Sequence, residues 1–272
     1  MAVTMADISK LRSMTGAGMM DCKNALNEAN GDFEKAIEII RKKGQAVAAK
    51  RSDRDAAEGC VLAAAEGGYA AVLALKCETD FVAKNEDFIA LTKSILDAAM
   101  AQKPANLDAL KNLQIDGRSI ADLVVDRSGV TGEKMELDYF EFVEGGSTVA
   151  YIHPGNKLAT VVAFAEANIE NQVMRDVAMQ VAAMNPVSLD RTSVPEKVIN
   201  TELEIGREKA REEGKPENML DKIAQGRLNK FFQESTLLEQ AFIKDGKMSV
   251  GNYLKANNAT ATAFKRVTLN QE

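Results

Sequence analysis

The residue types that carry out most enzyme chemistry are scarce in this sequence. The only histidine is His153, in the segment His153-Pro-Gly-Asn156, and the three cysteines are Cys22, Cys60 and Cys77. For a histidine in a Pro-Gly turn, a surface position or a partner contact is favoured over catalysis. The cysteines are odd in number and form no CxxC pair, so they indicate reduced thiols rather than disulfides or a zinc site.

Phosphate-binding loops are also missing from the sequence. No segment has the form G-x-x-x-x-G-K-[ST], and no G-x-G-x-x-G follows a predicted strand. A catalytic α+β protein would need a convergent set of polar groups, and the sequence suggests none. We therefore expect no enzymatic activity, no cofactor and no metal.

One short segment instead indicates contact with another protein. Thr79-Asp-Phe-Val-Ala-Lys-Asn85 opens a predicted helix, where Thr79 or Asp80 could be the N-cap and the helix dipole favours the carboxylate. Capping alone does not explain Phe81, because a large ring at a helix tip is poorly placed to fill its own core. We predict that Phe81 wedges into a neighbouring molecule.

A methionine pair poses a similar question in the N-terminal region. Met19 and Met20 follow two glycines and begin a predicted helix. Adjacent helical residues diverge by about 100°, so one thin core cannot bury both equally. Flexible methionines suit a protein-contact surface, although the spacing is equally compatible with both covering the edge of a small core.

Apolar periodicity divides the chain into helical and mixed regions of the α+β class. Residues 1–44 predict a three-helix, ubiquitin-associated-like module whose third helix is capped by Asp32 and ends at Gly44, followed by a linker or extended helix over 45–58. Two related lobes with antiparallel sheets follow, because a strand and then a helix occur twice in the same order. The first lobe is predicted over 59–134 and opens with a β-hairpin whose two strands are joined by Glu66-Gly67-Gly68. The second lobe is predicted over 135–192 and 233–272.

Residues 193–232 predict an inserted helical hairpin of coiled-coil type. Gly214-Lys-Pro216 lies at its centre, where the glycine can end one helix and the proline can begin the next. The two arms carry dense mixed charge and few apolar residues, so the hairpin has little core of its own. It could dimerise the protein, brace a partner or do neither.

The overall composition restricts the classes of partner. The net charge of −6 argues against coating nucleic acid or an anionic membrane. No apolar run approaches the ~20 residues that span a bilayer, and the N-terminal residues show no secretory signal. A cytoplasmic protein is expected.

Three segments together resemble the elongation factor Ts family of bacterial translation. They are Thr15-Gly-Ala-Gly-Met-Met-Asp-Cys-Lys-Asn-Ala-Leu26, Glu28-Ala-Asn-Gly-Asp32 and Thr79-Asp-Phe-Val-Ala-Lys-Asn85. The first alone would fit any ubiquitin-associated-type module, and the third makes the match specific. The likeness extends through the paired lobes and the hairpin.

The resemblance implies that the partner is the GTPase elongation factor Tu and that the activity is guanine-nucleotide exchange in the bacterial cytoplasm. It implies that the partner's Mg²⁺ site is disturbed by the motif Thr79, Asp80, Phe81 and Val82. It also implies that the nucleotide domain is contacted by Lys10, Arg12, Met19 and Met20 of the module. Weaker correspondences place His153, Phe242 and Ile243 of the second lobe against a β-barrel domain.

Two rival functions differ in what they require. An adaptor would bind ubiquitin-like or other partners through residues 5–43, with the remainder as scaffold, and its isolated module would carry the activity. An enzyme on an α+β scaffold would need the polar constellation that the sequence lacks. Only the hypothesis of guanine-nucleotide exchange requires Phe81 for activity.

Overall fold

The computed structural model describes residues 3–270, so residues 1–2 and 271–272, at the ends of the predicted module and second lobe, lie outside it. The predicted α+β class is confirmed. The N-terminal module contains α1 (Met5–Thr15), α2 (Met19–Glu28) and α3 (Phe33–Lys50). Thr4 and Asp7 form a capping box on α1, and Asp32 caps α3 as predicted, by accepting a hydrogen bond from the Lys35 amide.

The first lobe begins with a β-hairpin and continues with helices. In chain order its elements are β1 (Glu58–Glu66), β2 (Tyr69–Cys77), α4 (Asp80–Ala83), α5 (Glu86–Gln102), α6 (Leu107–Asn112), β3 (Gln114–Ile115), β4 (Arg118–Ser119), α7 (Ile120–Thr131) and β5 (Glu136–Glu144). Glu66 pairs with Tyr69, so Gly67 and Gly68 form a two-residue turn, and Gly67 has a φ of +56°. Glycine adopts that conformation without strain, which confirms the predicted hairpin.

Strand β5 belongs to the first sheet, and its predicted place in the second lobe is wrong. It pairs antiparallel with β2, from Tyr69 opposite Glu144 to Lys76 opposite Glu136, and the sheet order is β1-β2-β5. Leu137 and Phe140 point into the core beneath this sheet. Alternating apolar residues identify a strand but do not specify which edge it joins.

Helix α3 passes through Gly44, so the prediction that it ends there is wrong. The helix continues to Lys50, so the extended-helix alternative is correct for residues 45–50 of the segment 45–58. Gly44 packs against Gly129 of α7, where an added Cβ would lie 2.3 Å from the Cα atom of Gly44. A glycine inside a helix costs about 1 kcal/mol relative to alanine, and this close helix packing offsets the cost. The contact seats the N-terminal module on the first lobe.

The rest of the chain forms the second lobe and the inserted hairpin. Its elements are β6 (Ser147–Ile152), β7 (Leu158–Phe164), α8 (Asn171–Met184), α9 (Glu196–Glu212), α10 (Leu220–Ser235), β8 (Ala241–Phe242), β9 (Asp245–Ser249), α11 (Val250–Ala256) and β10 (Ala261–Thr268). The sheet order is β10-β7-β6. The central strand of each lobe therefore precedes a helix, which agrees with the predicted repeat.

Helices α9 and α10 form the predicted hairpin. Gly206 of α9 lies close to α10, since an added Cβ would be 3.0 Å from the Cα atom of Ala224. Ion pairs join the two arms, with Arg207 2.7 Å from Asp221 and Arg227 2.6 Å from Glu213. At the root, a small apolar cluster is centred on Val194, Leu228 and Phe232.

The two sheets pack face to face through small side chains. The shared cluster contains Val61, Ala63, Ala70, Val72, Ala74, Val143, Ala159, Val161, Ala163 and Val267. The outer face of each sheet is covered by its own helices, chiefly α5 in the first lobe and α8 in the second. No helix within residues 3–270 is long and apolar enough to cross a membrane.

Candidate functional site

The four-residue helix α4 presents Phe81 to solvent. Thr79 is the N-cap, and its hydroxyl accepts a hydrogen bond from the Val82 amide at 3.4 Å. Asp80 is the first helical residue, so the alternative that Asp80 is the cap is wrong. Ala83 is buried and Val82 is partly buried against the first-lobe core, whereas Phe81 is 84% exposed. The helix is thus anchored by one face and exposes its aromatic ring on the other.

Asp80 is held by an ion pair beside the exposed ring. Lys84, four residues later, donates to the Asp80 carboxylate at 2.7 Å. This hydrogen bond, together with the lysine charge, lowers the pKa of Asp80 below its ordinary value. The carboxylate is therefore ionised at neutral pH and lies near the surface, where a partner could reach it.

The junction between β2 and α4 is held by residues that follow α7. Glu133 accepts hydrogen bonds from the backbone amides of Glu78 and Thr79, both at 3.1 Å, and from the Thr79 hydroxyl at 2.6 Å. The Glu78 carboxylate in turn accepts from the Lys134 amide at 2.7 Å and from Arg51 at 3.0 and 3.2 Å. Arg51 is the C-cap of α3. No local motif marks Glu78, Glu133 or Arg51 in the sequence, because their contacts join distant parts of the chain.

A buried thiol also faces this junction. The Cys77 thiol donates to the Thr79 carbonyl at 3.3 Å. Burial raises the pKa of Cys77 to about 12 and that of the neighbouring Cys60 to about 11. Both thiols are therefore protonated at neutral pH and act as small apolar groups.

The N-terminal module exposes the methionine pair. Met19 is 51% and Met20 64% exposed, so the alternative that both cover the core edge is wrong. Lys10 and Arg12 of α1 are also exposed, and the Lys10 ammonium lies 5.0 Å from the centre of the Phe33 ring. The four predicted contact residues thus all lie on the surface of the first two helices.

In the second lobe, the three predicted contact residues have different surroundings. His153 is exposed in its turn, and its Nδ1 is 2.9 Å from the Tyr151 hydroxyl. Ile243 is 43% exposed. Phe242, the third predicted contact, is 4% exposed and its ring stacks on Tyr253 at 4.1 Å, so it offers little surface to a partner in the free protein. Phe242 supports the surface from beneath.

A buried carboxylate, that of Asp176, holds the segment that carries Ile243. The Asp176 carboxylate of α8 accepts from Lys244 and Gln172, both at 2.6 Å, and from the Tyr253 hydroxyl at 2.9 Å. Burial alone would raise the pKa of Asp176, but the three hydrogen bonds, led by that of Lys244, outweigh it and lower the pKa. The Ile243 amide donates to Gln180 at 2.9 Å, which fixes the same segment from the other side.

The described part of the chain contains no group of three or more His, Cys, Asp and Glu side chains that could hold a metal ion. Two exposed segments stand out: α4, with the ring of Phe81 and the ionised Asp80, and the start of α2, with Met19 and Met20. They are suited to binding another protein.

Comparison with known proteins agrees with the sequence resemblance. The family model described as Elongation factor TS matches residues 78–271. The elongation factor Ts of Porphyromonas gingivalis is 63% identical over 275 aligned residues that span all of both chains. That of Azobacteroides pseudotrichonymphae is 53% identical over the whole of both chains, and that of Amoebophilus asiaticus is 50% identical over 98% of this chain and 99% of its own. A family match over most of the chain and full-length relatives at this identity lead to one conclusion: the chain belongs to the elongation factor Ts family.

Proposed function

We propose that this protein is a guanine-nucleotide exchange factor, which binds elongation factor Tu in its GDP-bound form and promotes GDP release during translation elongation. The observation that carries the proposal is the 84% exposure of Phe81 on a short helix whose neighbouring residues are anchored in the core. Family membership supports the choice of partner. Such an activity belongs to the bacterial cytoplasm and requires no catalysis by this chain.

The proposed mechanism uses Phe81 as a wedge and Asp80 as a charge. Bound GDP and Mg²⁺ are held by backbone amides and by metal coordination, so displacing either element of the site raises the rate of GDP release. Phe81 would be buried against the partner's nucleotide domain, which contributes about 1.5–3 kcal/mol. The Asp80 carboxylate would enter the Mg²⁺ environment, where its charge competes for the metal or its ligands.

Exchange by this route follows from linked binding. The factor binds the nucleotide-free partner best, so it weakens nucleotide binding by the same factor by which nucleotide weakens its own binding. It accelerates loss of GDP but does not by itself select GTP over GDP. Cellular concentrations of the two nucleotides then decide which one rebinds.

Two further surfaces would contribute affinity. The surface on the N-terminal module consists of Lys10, Arg12, Met19 and Met20, whose exposed side chains combine positive charge with flexible apolar contact. That on the second lobe consists of His153 and Ile243, with Phe242 as internal support. The hairpin is proposed as a separate surface for self-association.

Phe81→Ala tests the wedge directly. With GDP-loaded elongation factor Tu carrying a fluorescent nucleotide, we expect release to slow about 10- to 150-fold, the equivalent of the lost burial. The melting temperature should not change, because the ring is exposed in the free protein. Met219→Ala is the matched control, since this apolar side chain is 44% exposed at the tip of the hairpin. Normal GDP release by a folded Phe81→Ala variant would refute the wedge.

Asp80→Asn separates the charge from the shape of the motif. Thr79 remains the cap, and an exposed ion pair such as Asp80–Lys84 adds little stability, so the fold should be unaffected. We expect a smaller loss of exchange than for Phe81→Ala and a loss that varies with Mg²⁺ concentration. A defect that is equal at low and high Mg²⁺ would remove the metal environment from the mechanism.

A further inference from the structure

We propose that Glu133 is the positioning residue of the exchange motif, which it holds from beneath by binding the junction between β2 and α4. The inference rests on the proposed function and adds a residue to it. Glu133 does not itself present a surface to the partner in this proposal. It determines the direction in which α4, and therefore Phe81, points.

Glu133 reaches the junction from a turn at the end of α7. Gly132 caps that helix with a φ of +74°, a left-handed conformation that glycine adopts readily. The Ser128 hydroxyl then donates to the Glu133 carbonyl, and the Glu133 amide donates to the Thr131 hydroxyl at 3.3 Å. These bonds hold the backbone of Glu133 independently of the contacts that its side chain makes.

The carboxylate binds the two backbone amides that immediately follow β2. Cys77 is the last residue of β2 in the ladder, opposite Glu58, and α4 begins at Asp80. The amides of Glu78 and Thr79 therefore lie beyond the sheet and precede the helix, and Oε2 of Glu133 accepts from both. Partly buried backbone donors require an acceptor, and an ionised carboxylate is a strong one.

The second oxygen of Glu133 orients the helix cap. Thr79 has one hydroxyl proton, which it donates to Oε1 of Glu133 at 2.6 Å. Its lone pairs are then free to accept from the Val82 amide, which is the capping hydrogen bond of α4. The chain of hydrogen bonds runs from Glu133 through Thr79 to the residue that follows Phe81.

The contact is reciprocal, which makes the junction rigid in more than one direction. Glu133 binds the backbone of residues 78 and 79, while Glu78 binds the backbone of Lys134. Arg51 at the end of α3 also binds Glu78. Phe81 can displace groups in a partner only if α4 is held rigidly. A flexible α4 would lose conformational entropy on binding, which would weaken the interaction.

Glu133→Gln tests the proposal, because the variant keeps the shape of the side chain while its amide nitrogen cannot accept a hydrogen bond. Thr79→Val removes the hydroxyl at the other end of the same bond, and Thr79→Ser is the control that retains it. The readouts are amide hydrogen exchange of residues 78–82 in the free protein, the melting temperature and GDP release from elongation factor Tu.

We expect faster amide exchange at 78–82 in Glu133→Gln and in Thr79→Val, with the amides of β1 and α5 unchanged. GDP release should slow about tenfold in both, the equivalent of about one lost charge-assisted hydrogen bond. Thr79→Ser, which keeps the hydroxyl, should retain the slow amide exchange of the wild type at 78–82. Adding Phe81→Ala to Glu133→Gln should cause less loss than Phe81→Ala causes alone, because both act through the same ring.

Unchanged amide exchange at 78–82, or unchanged GDP release despite faster amide exchange, would overturn the role of Glu133. If Glu133→Gln fails to fold, the same criteria apply to Glu133→Asp, which keeps the charge but shortens the side chain by one methylene. Failure of the wild-type protein to accelerate GDP release from elongation factor Tu would overturn the proposed function itself. The amide exchange of Glu133→Gln would still report whether Glu133 holds the junction, so the two failures are distinguishable.

Discussion

Gly129→Ala should loosen the contact that seats the N-terminal module on the first lobe. An added Cβ at Gly129 would lie 2.3 Å from the Cα atom and 3.1 Å from the amide nitrogen of Gly44. Both are backbone atoms inside α3, so they cannot turn aside as a flexible side chain could. Helices α3 and α7 must move apart to admit the methyl group.

Two opposing effects determine the magnitude. Replacing an interior helical glycine by alanine favours the helix by about 0.5–1 kcal/mol. Overpacking a close contact costs about 1–3 kcal/mol, so the two effects together give a net loss of up to about 2.5 kcal/mol in the free energy of unfolding for Gly129→Ala. Gly44→Ala is the matched control, because its Cβ would meet the Val125 carbonyl oxygen at 3.4 Å and other atoms at 3.6 Å. That variant should be neutral or slightly more stable.

Urea unfolding followed by circular dichroism measures the difference between the two variants. Amide hydrogen exchange in α3 shows whether the loss lies at the contact, and GDP release shows its functional effect. With the module displaced, binding to the GTPase should weaken while the rate of release at saturating factor is largely retained. Equal stability of Gly129→Ala and Gly44→Ala would refute the close-contact argument. Deleting residues 1–44 is a poorer test, since it cuts α3 and exposes α7.

Three further predictions concern other parts of the molecule. Asp176→Asn should lower the free energy of unfolding by about 2–3 kcal/mol at pH 7, because Lys244 and two other donors lose a charged acceptor. Because the folded-state pKa of Asp176 is depressed, the wild type should be more stable than the variant by the full amount above about pH 4. This difference in the free energy of unfolding should disappear as the pH falls through the folded-state pKa, and urea titrations in which it persisted in acid would contradict the prediction. Replacing residues 191–234 by a short Gly/Ser link should leave both lobes folded and reduce any self-association seen by sedimentation, since loop-closure cost grows slowly with length; collapse of the lobes or unchanged self-association would count against this. The thiols of Cys60 and Cys77 should resist alkylation at pH 8 until urea exposes them, and rapid labelling of the native protein would contradict their burial.

The turns between neighbouring elements could be predicted from the sequence, because a few adjacent residues determine them. Gly67 and Gly68 specified a tight β-hairpin, and Gly214 with Pro216 marked the turn of the helical hairpin. The partner of β5 was not predictable in this way, because alternation is the same whichever sheet edge the strand joins. Gly44 was misleading because its neighbour Gly129 lies far along the sequence, and the packing between them outweighs the local preference.

The candidate site shows the same division. The exposure of Phe81 was predictable from its place beside a helix cap, since that position offers little of its own core to fill. The cap itself was ambiguous between Thr79 and Asp80, and the hydrogen bond from Thr79 to Glu133 favours the threonine. Glu133 carries no recognisable motif, and only the folded chain brings it to the junction.

The alanine- and valine-rich contact between the two sheets has a mechanical consequence. Alanine has no side-chain rotamers and valine has few. A face composed of Val61, Ala70, Ala159 and Val161 therefore cannot respond to an applied force by changing rotamers. We therefore expect the two lobes to move together, with little deformation at the contact between the sheets. When both lobes bind one partner, the elastic work of fitting falls on the softer of the two molecules. In the proposed complex, strain would therefore accumulate in the GTPase rather than in the protein that imposes it.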